Sequence, residues 1–410
     1  MDQYVITLPN GIRIIFKPFS SPVSHACIVI NAGTRDESPQ TSGLAHFIEH
    51  LLFKKTERRN TSQILNRLES IGADLNAYTT KEYTCIHASF LQAYLDRTLD
   101  LFEDLVFHSV YPDEELEKEK SVILDEIASY QDLPEDAIND DFEELLFAGH
   151  PLGRNILGTA ESVSRLSRQD IFTFLQEHYT TNQMVIGISG NYSPSRIEKL
   201  AQRYFAHLPA THSSRKREPV AQYMAQTRKE SKPISQVHCV IGAPAYNLYH
   251  ENKTGLLLLN NMLGGNGMSS RLNLQIREKY GIAYTIDSNY TPLTDTGIFS
   301  IYFGTDAEKS DKALRLIYRE LKKLCEHKLG TLQLHTARQK FIGQIALAEE
   351  NRIGMIISMA KSLLDYNRVD TLDEIFARIQ ACTASQLQDI ANEIFNPSAL
   401  SVLLFQPESQ

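Results

Sequence analysis

One short segment of the chain carries the residue types of a metal-dependent site. Residues 43–52 place His46, Glu49 and His50 inside an apolar run that predicts a helix. Residues four apart lie on one face of a helix, so the two imidazoles could take two of the four tetrahedral positions of a zinc ion. Glu49 lies beside that pair, where its carboxylate could accept a proton from water. The competing interpretation is a helix face that carries two unrelated histidines.

A catalytic zinc ion needs a third protein ligand, and an acidic stretch supplies two candidates. Residues 113–130 predict a helix in which Glu119 and Glu126 are two turns apart on the same face. The apolar stripe expected to bury this helix consists of Val122, Ile123 and Ile127. One carboxylate would complete the zinc shell, and the other would orient a ligand from outside it. A solvated acidic helix face is the alternative.

Several motifs in order resemble the pitrilysin/insulinase family of zinc peptidases. The resemblance is to its shorter branch, which includes the mitochondrial processing peptidase and its bacterial relatives, and it covers nearly the whole chain. The motifs are N-A-G-T-R at 31–35, H-F-I-E-H at 46–50, G-A-D-L-N-A-Y-T at 72–79, H-P-L-G at 150–153, L-G-T at 157–159 and L-G-G-N-G-M-S-S-R-L at 263–272. The resemblance implies a zinc endopeptidase that hydrolyses peptides or short unfolded segments.

The resemblance also implies a role for each residue of the site. The implied zinc ligands are His46, His50 and Glu126. Glu49 would be the general base, and Glu119 a supporting carboxylate in the catalytic site. The helix expected at residues 254–263 takes the corresponding place in the second half but has neither His nor Glu. One Zn²⁺ per chain is therefore expected.

Substrate contacts are implied in both halves of the chain. Arg277 and Tyr284 match the family's arginine and tyrosine that hold the peptide backbone and help to stabilise the oxyanion. The matching segment Asn76, Ala77 and Tyr78 would be an edge strand that pairs with an extended peptide. Without the resemblance, these three residues favour an ordinary strand of the sheet.

Two similar domains are expected to position these residues, because 410 residues are too many for one ordinary core. We predict a catalytic zinc-binding domain over residues 1–210, a polar linker over 211–236 and a substrate-contacting domain over 237–410. Strands precede long helices in each half, which predicts an α+β fold. Each domain would be a mainly antiparallel sheet with helices packed on one face. The longest helices are predicted at about 113–148 and 331–364.

The charge and composition of the chain limit the kinds of molecule that it is expected to bind. Residues 1–210 carry 30 acidic and 18 basic side chains, and the net charge of the whole chain is −9, so nucleic acid is not expected. The acidic half could favour basic peptides, or the charge could serve solubility alone. No apolar run is long enough for a membrane span. The absence of a signal-like start and the five scattered cysteines predict a cytoplasmic protein with reduced thiols.

The resemblance further implies how the chain assembles. Shorter family members pair two chains into a clamshell around a closed chamber, which predicts a homodimer, with a heterodimer of related chains as the alternative. Arg277 and Tyr284 could then serve their own zinc site or that of the partner. A non-catalytic or conditionally active subunit of a heteromeric complex is the alternative function. The intact residues His46 to His50, Glu119 and Glu126 argue against it.

Overall fold

A computed structural model describes residues 3–408, so the ends of the two predicted domain ranges, 1–2 and 409–410, lie outside the described part. The chain divides into two units. Unit 1 contains the residues up to Ala128 together with Arg154–Glu218 and Leu347–Asp370. Unit 2 contains Ser129–Gly153, Pro219–Ala346 and the residues from Thr371 onward.

The strands and helices occur in groups along the chain. The strands are β1 (Tyr4–Thr7), β2 (Arg13–Pro18), β3 (Val23–Ile30), β4 (Asp74–Thr79), β5 (Thr84–Leu91), β6 (Met184–Gly190), β7 (Thr227–Lys232), β8 (Val237–Ala245), β9 (Ala283–Pro292), β10 (Gly297–Thr305) and β11 (Ser401–Pro407). The α-helices are α1 (Leu44–Leu51), α2 (Thr61–Glu69), α3 (Leu95–Phe107), α4 (Asp113–Gln131), α5 (Pro134–Leu146), α6 (Ala160–Arg165), α7 (Arg168–His178), α8 (Pro194–Phe205), α9 (Lys253–Leu263), α10 (Ser310–Glu326), α11 (Thr331–Ala348), α12 (Arg352–Tyr366), α13 (Leu372–Ala381) and α14 (Ala384–Ile394).

Unit 1 is built on a six-stranded sheet in the order β1-β2-β6-β3-β5-β4. All neighbouring strands are antiparallel except β2 and β6. Side chains alternate between the faces of a strand. Ala26 and Ile28 of β3 join the core that includes α1 and α3. Cys27 and Val29 face the other side, where they pack with α12. Both faces of the central strands are therefore buried.

Unit 2 has a five-stranded sheet in the order β7-β11-β8-β10-β9, with β7 and β11 parallel and the other pairs antiparallel. The first sheet repeats this order and these directions from β2 to β4, so the predicted similarity of the halves extends to strand topology. Helices α9, α10 and α14 share one core with the sheet. Helix α5 covers the other face, where Phe142 packs with Val240 and Phe405. The predicted α+β fold class is confirmed.

Two predicted long helices are each interrupted, and the units of the structure therefore differ from the predicted domain ranges. The prediction at 113–148 is interrupted between α4 and α5, before Pro134, which has no amide hydrogen to continue a helix. The prediction at 331–364 is interrupted between α11 and α12. The chain passes to the other unit near the end of the helix before each break, so α5 belongs to unit 2 and α12 to unit 1. The predicted contiguous ranges 1–210 and 237–410 miss this exchange.

The predicted linker at 211–236 is not a free tether. Arg215 and Arg217 lie near its start, and each makes a contact of 2.9 Å with the buried carboxylate of Asp36 in unit 1. Its later part forms β7, an edge strand of the second sheet. The sequence of β7 is charged at most positions and lacks an apolar period, which explains why the sequence did not predict a strand there.

Two further expectations concern the chain as a whole. None of the helices in residues 3–408 has the length and apolar character needed to cross a bilayer. All five cysteines lie in this part of the chain and are free thiols, and four of them are buried. They pack in or against the cores as small apolar residues.

Candidate metal centre

Helix α1 presents the two histidines because the rest of the helix is anchored. Phe47 and Ile48 are fully buried in the core of unit 1. The face formed by His46, Glu49 and His50 is thereby turned toward α4. The rings of the two histidines are 4.6 Å apart between centroids. The predicted spacing of four residues therefore places both imidazoles on one side of the helix.

The N-terminus of α1 is held by a buried carboxylate. Glu37 accepts hydrogen bonds from the backbone amides of Gly43 at 2.9 Å and Ala45 at 2.7 Å. These amides have no partner inside the helix, so the carboxylate satisfies two donors that the helix leaves open. Burial raises the pKa of the Glu37 carboxyl to about 8, and the hydrogen bonds from Ala45 and Gly43 partly oppose this shift by favouring the ionised form. Glu37 thus fixes where the histidine-bearing helix begins.

Gly43 is required at this position for two reasons. Its φ of +90° is a left-handed conformation, and a Cβ there would lie 2.5 Å from the carbonyl oxygen of Leu157. Gly43→Ala should therefore destabilise the protein by more than the roughly 1–2 kcal/mol that left-handed backbone costs an L-residue. Gly72→Ala is the matched control, because Gly72 has φ +72° and open space around it. Chemical unfolding followed by circular dichroism checks this, and equal losses for the two variants would contradict it.

Helix α4 carries the two candidate acidic ligands. Ile123 is fully buried and Ile127 packs partly against the same core. Val122, predicted to lie in this stripe, is instead 48% exposed. At 3.6 residues per turn, Ile123 and Ile127 lie on one side of the line through Glu119 and Glu126, and Val122 lies on the other side. The stripe turns Glu119 and Glu126 toward α1.

Three potential ligand atoms converge between α1 and α4. Oε2 of Glu126 lies 3.5 Å from Nε2 of His50 and 3.9 Å from Nε2 of His46. The three donors lie within 4.8 Å of one another, and no other group of three or more His, Cys, Asp or Glu meets this criterion in the described part of the chain. Zinc bonds of about 2.0–2.2 Å at tetrahedral angles separate ligand atoms by roughly 3.4 Å. Two imidazole nitrogens and one carboxylate oxygen are also the donor set that zinc prefers, so the residues fit this ion.

His46 is suited to be a neutral donor. The residue is 8% exposed. Burial, followed by the neighbouring His50, lowers the pKa of His46 to about 4. An unprotonated imidazole is the form that binds a metal. At neutral pH, His46 therefore offers a lone pair without first losing a proton.

Glu119 lies behind His50 and is not in the group of three. Its Oε2 is 3.2 Å from Nδ1 of His50, which leaves Nε2 of the same ring directed toward Glu126. A carboxylate on Nδ1 fixes the tautomer whose Nε2 is free to bind a metal. Lys54 contacts the other oxygen of Glu119. Lys54 was not predicted, although its position four residues after His50 extends the same helical face.

Glu49 differs from the other acids of the site. Burial raises the pKa of its carboxyl, and Thr79 and His50 partly oppose this by favouring the ionised form. Its Oε2 is buried and has no hydrogen-bond partner among the described residues. An oxygen without a partner keeps the capacity to accept a further hydrogen bond. The arrangement supplies a proton acceptor beside the three converging donors.

A cavity opens next to Glu49. Its volume is about 280 Å³, and it reaches from Glu49 and Glu119 to Asn76 and Ala77. Phe53 and Leu65 are among the apolar side chains that line it. Strand β4 is at the edge of the sheet, and β5 is its paired neighbour.

The three residues predicted to contact substrate share β4 but differ in their surroundings. Asn76 and Ala77 line the cavity beside Glu49. Tyr78 does not line it; its ring lies against Tyr83 at 5.9 Å and His87 at 6.0 Å between centroids. The structure therefore brings two of the three side chains to the cavity.

Arg277 and Tyr284, the predicted substrate-holding residues, belong to unit 2. Arg277 is exposed on a π-helical turn, Asn273–Glu278, with Nη1 3.4 Å from Oδ1 of Asn273. Tyr284 is 53% exposed at the start of β9 and donates a hydrogen bond of 3.0 Å to Asp306. That hydrogen bond raises the pKa of the Tyr284 phenol. Both side chains are open to an incoming molecule.

Two family models match the chain, and each covers a different segment. A model described as insulinase (peptidase family M16) matches residues 15–160, which include the zinc helix and both glutamates of α4. A model described as the peptidase M16 inactive domain matches residues 165–341, which include α9, Arg277 and Tyr284.

Known proteins resemble the chain over nearly its full length. The uncharacterized zinc protease YmxG of Bacillus subtilis is 31% identical over 390 residues, which cover 95% of each chain. An uncharacterized zinc protease of Rickettsia bellii is 31% identical over 405 residues, covering 98% of this chain and 97% of its own.

Two crystal structures share the fold. One, a peptidase M16 inactive domain of Pseudomonas fluorescens, covers 100% of this chain and 98% of its own, with a TM-score of 0.91 at 21% identity. The other, a protease of Helicobacter pylori, covers 99% and 100%, with a TM-score of 0.92 at 20% identity.

Proposed function

The chain belongs to the insulinase family of peptidases (peptidase family M16), and on this premise we propose that it is a zinc-dependent endopeptidase of peptides and short unfolded segments. The observation that carries the proposal is the convergence of His46, His50 and Glu126, with Glu49 on the same face of α1. The zinc proteases that resemble the chain support the choice of metal.

Each residue of the centre has a proposed task. His46, His50 and Glu126 hold one zinc ion, which would polarise the scissile carbonyl and make a water molecule more acidic when bound. Glu49 accepts a proton from the attacking water and returns it to the leaving amine. Glu119 keeps His50 in the tautomer that offers Nε2.

The substrate is proposed to bind as an extended strand. The free edge of β4 offers backbone groups that can pair with a peptide regardless of its sequence. The cavity beside Glu49 is lined by Phe53 and Leu65 and would accept one side chain near the scissile bond. Peptides and unfolded segments can adopt this conformation, whereas a folded protein must first open locally.

Zinc content and cleavage measured on the same sample test the proposed function. We expect close to one zinc per chain and cleavage of a quenched peptide library by the purified protein. Zinc binding without cleavage would favour the alternative, a subunit that needs a different chain for activity. Absence of zinc binding would contradict the proposal altogether.

We also propose that two copies form a dimer around a closed chamber and that Arg277 and Tyr284 hold the substrate at the partner's zinc site. Glu49→Gln and Arg277→Ala chains should each be inactive alone. In mixed dimers, the Arg277→Ala chain supplies an intact Glu49 and its partner an intact Arg277, so partial activity should return. Peptide hydrolysis after co-refolding or subunit exchange measures this. Mixed dimers without recovered activity would show that the two residues do not act across an interface.

A further inference from the structure

Lys54 lies at the outer end of a chain of polar contacts that reaches the metal centre. It follows α1 by three residues, and its backbone amide donates to the carbonyl of Leu51 at 3.1 Å, which continues the helical turn. Its ammonium contacts Oε1 of Glu119. The second oxygen of that carboxylate, Oε2, is 3.2 Å from Nδ1 of His50.

Glu119 depends on these two contacts. The residue is 6% exposed, and within the described residues Lys54 and His50 are its polar partners. A buried carboxylate is costly unless it is paired and hydrogen-bonded. Removing one member of such a pair leaves the other charge uncompensated. Without Lys54, Oε1 of Glu119 would lose the partner that holds it, and the carboxylate would be free to turn away from His50.

The division of the carboxylate between two partners fixes its orientation. Because Oε1 is held by Lys54, Oε2 faces the ring of His50. A carboxylate acceptor at Nδ1 keeps the proton on that nitrogen and leaves Nε2 with its lone pair. Nε2 of His50 is the atom that lies 3.5 Å from Glu126. By holding Glu119, Lys54 therefore helps to keep the lone pair of His50 on Nε2, the atom that would bind the metal.

We propose that Lys54 is a positioning residue of the metal centre, which sets the orientation of Glu119 and through it the tautomer of His50. The proposal builds on the proposed function, because it assigns His50 Nε2 to the metal. It does not require catalysis to be observed. It adds a second residue, after Glu119, to the contacts behind His50 and extends the site beyond the residues that bind the metal.

Zinc affinity of Lys54→Met tests the proposal. Loss of a partner behind a metal-binding histidine typically costs 10–100-fold in affinity, and we expect a loss in that range. Lys55→Met is the matched control, because Lys55 is the adjacent lysine and is exposed; its zinc affinity should equal that of wild type. Lys54→Arg should recover most of the loss, since guanidinium keeps the charge and can hold a carboxylate. Competition with a chromophoric chelator gives all four affinities.

The tautomer of His50 gives a second measurement that needs no metal. In the metal-free protein labelled with ¹⁵N-histidine, long-range ¹H–¹⁵N spectra should show the proton of neutral His50 on Nδ1 for wild type and Lys55→Met. Lys54→Met should show a mixture of tautomers. Unchanged zinc affinity together with an unchanged tautomer in Lys54→Met would overturn the proposal. If Lys54→Met fails to fold by circular dichroism, Lys54→Gln replaces it. Wild-type protein that binds zinc but cleaves no peptide would defeat the proposed function and leave this test intact.

Discussion

Glu49→Gln is expected to lower kcat/KM for peptide hydrolysis by about 10²–10⁴-fold, the contribution of a positioned general base, while zinc stays bound. Glutamine keeps the size and hydrogen-bonding shape of the side chain but cannot accept the proton of the attacking water. Glu49 is not one of the three converging donors. Its replacement should therefore separate catalysis from metal binding.

Two measurements make this result specific to Glu49. Zinc content must equal that of wild type, which shows that the centre is intact. Glu57→Gln is the control for the chemical change, because the side chain of Glu57 is 66% exposed and outside the centre; it should retain full activity. A Glu49→Gln protein that cleaves peptides as fast as wild type would remove Glu49 from the mechanism.

Glu126→Gln is also expected to lose activity, but for a different reason: the variant should lose the metal. An amide oxygen is neutral and a weaker ligand than a carboxylate, so the zinc affinity should fall by more than the 10–100-fold typical of changes behind a ligand. Activity should be lost at zinc concentrations that saturate wild type and should recover in part when zinc is raised. Glu49→Gln should show no such recovery. This contrast distinguishes the proposed ligand from the proposed base.

The matched control for Glu126 lies on the same helix. Glu117 has a side chain that is 71% exposed and pairs with Lys120 on the surface of α4. Glu117→Gln should leave both zinc affinity and activity unchanged. If Glu126→Gln binds zinc as tightly as wild type, the third ligand is another residue. Glu119→Gln is then the next variant to measure, because the spacing in α4 permits either glutamate.

The helices of the centre were predictable because both carry strong local patterns. His46 and His50 have a fixed spacing inside an apolar run, and that run is buried as α1. Glu119 and Glu126 share a face of α4 with Ile123. The helical spacing alone left open which glutamate approaches both histidines, although the family resemblance implied Glu126. Packing of α4 against α1 places Glu126 beside the two Nε2 atoms and Glu119 beside Nδ1 of His50.

Features that depend on contacts between distant segments were not predicted. Helices α5 and α12 each belong to the unit formed mainly by the other half of the chain, and their amphipathic patterns do not specify which sheet they cover. Strand β7 is held at the edge of its sheet by backbone pairing with β11, so its charged sequence carries no apolar signal. Lys54 has a clear role only once Glu119 is placed beside it.

The most direct test of the account is a zinc titration of the metal-free protein, with peptide hydrolysis measured at each addition. We predict no cleavage before zinc is added. Activity should then rise in proportion to the zinc added and level off at one ion per chain, because residues 3–408 contain a single group of converging ligands. Metal-free protein that cleaves peptides at the wild-type rate would contradict the central claim that His46, His50 and Glu126 form the catalytic centre.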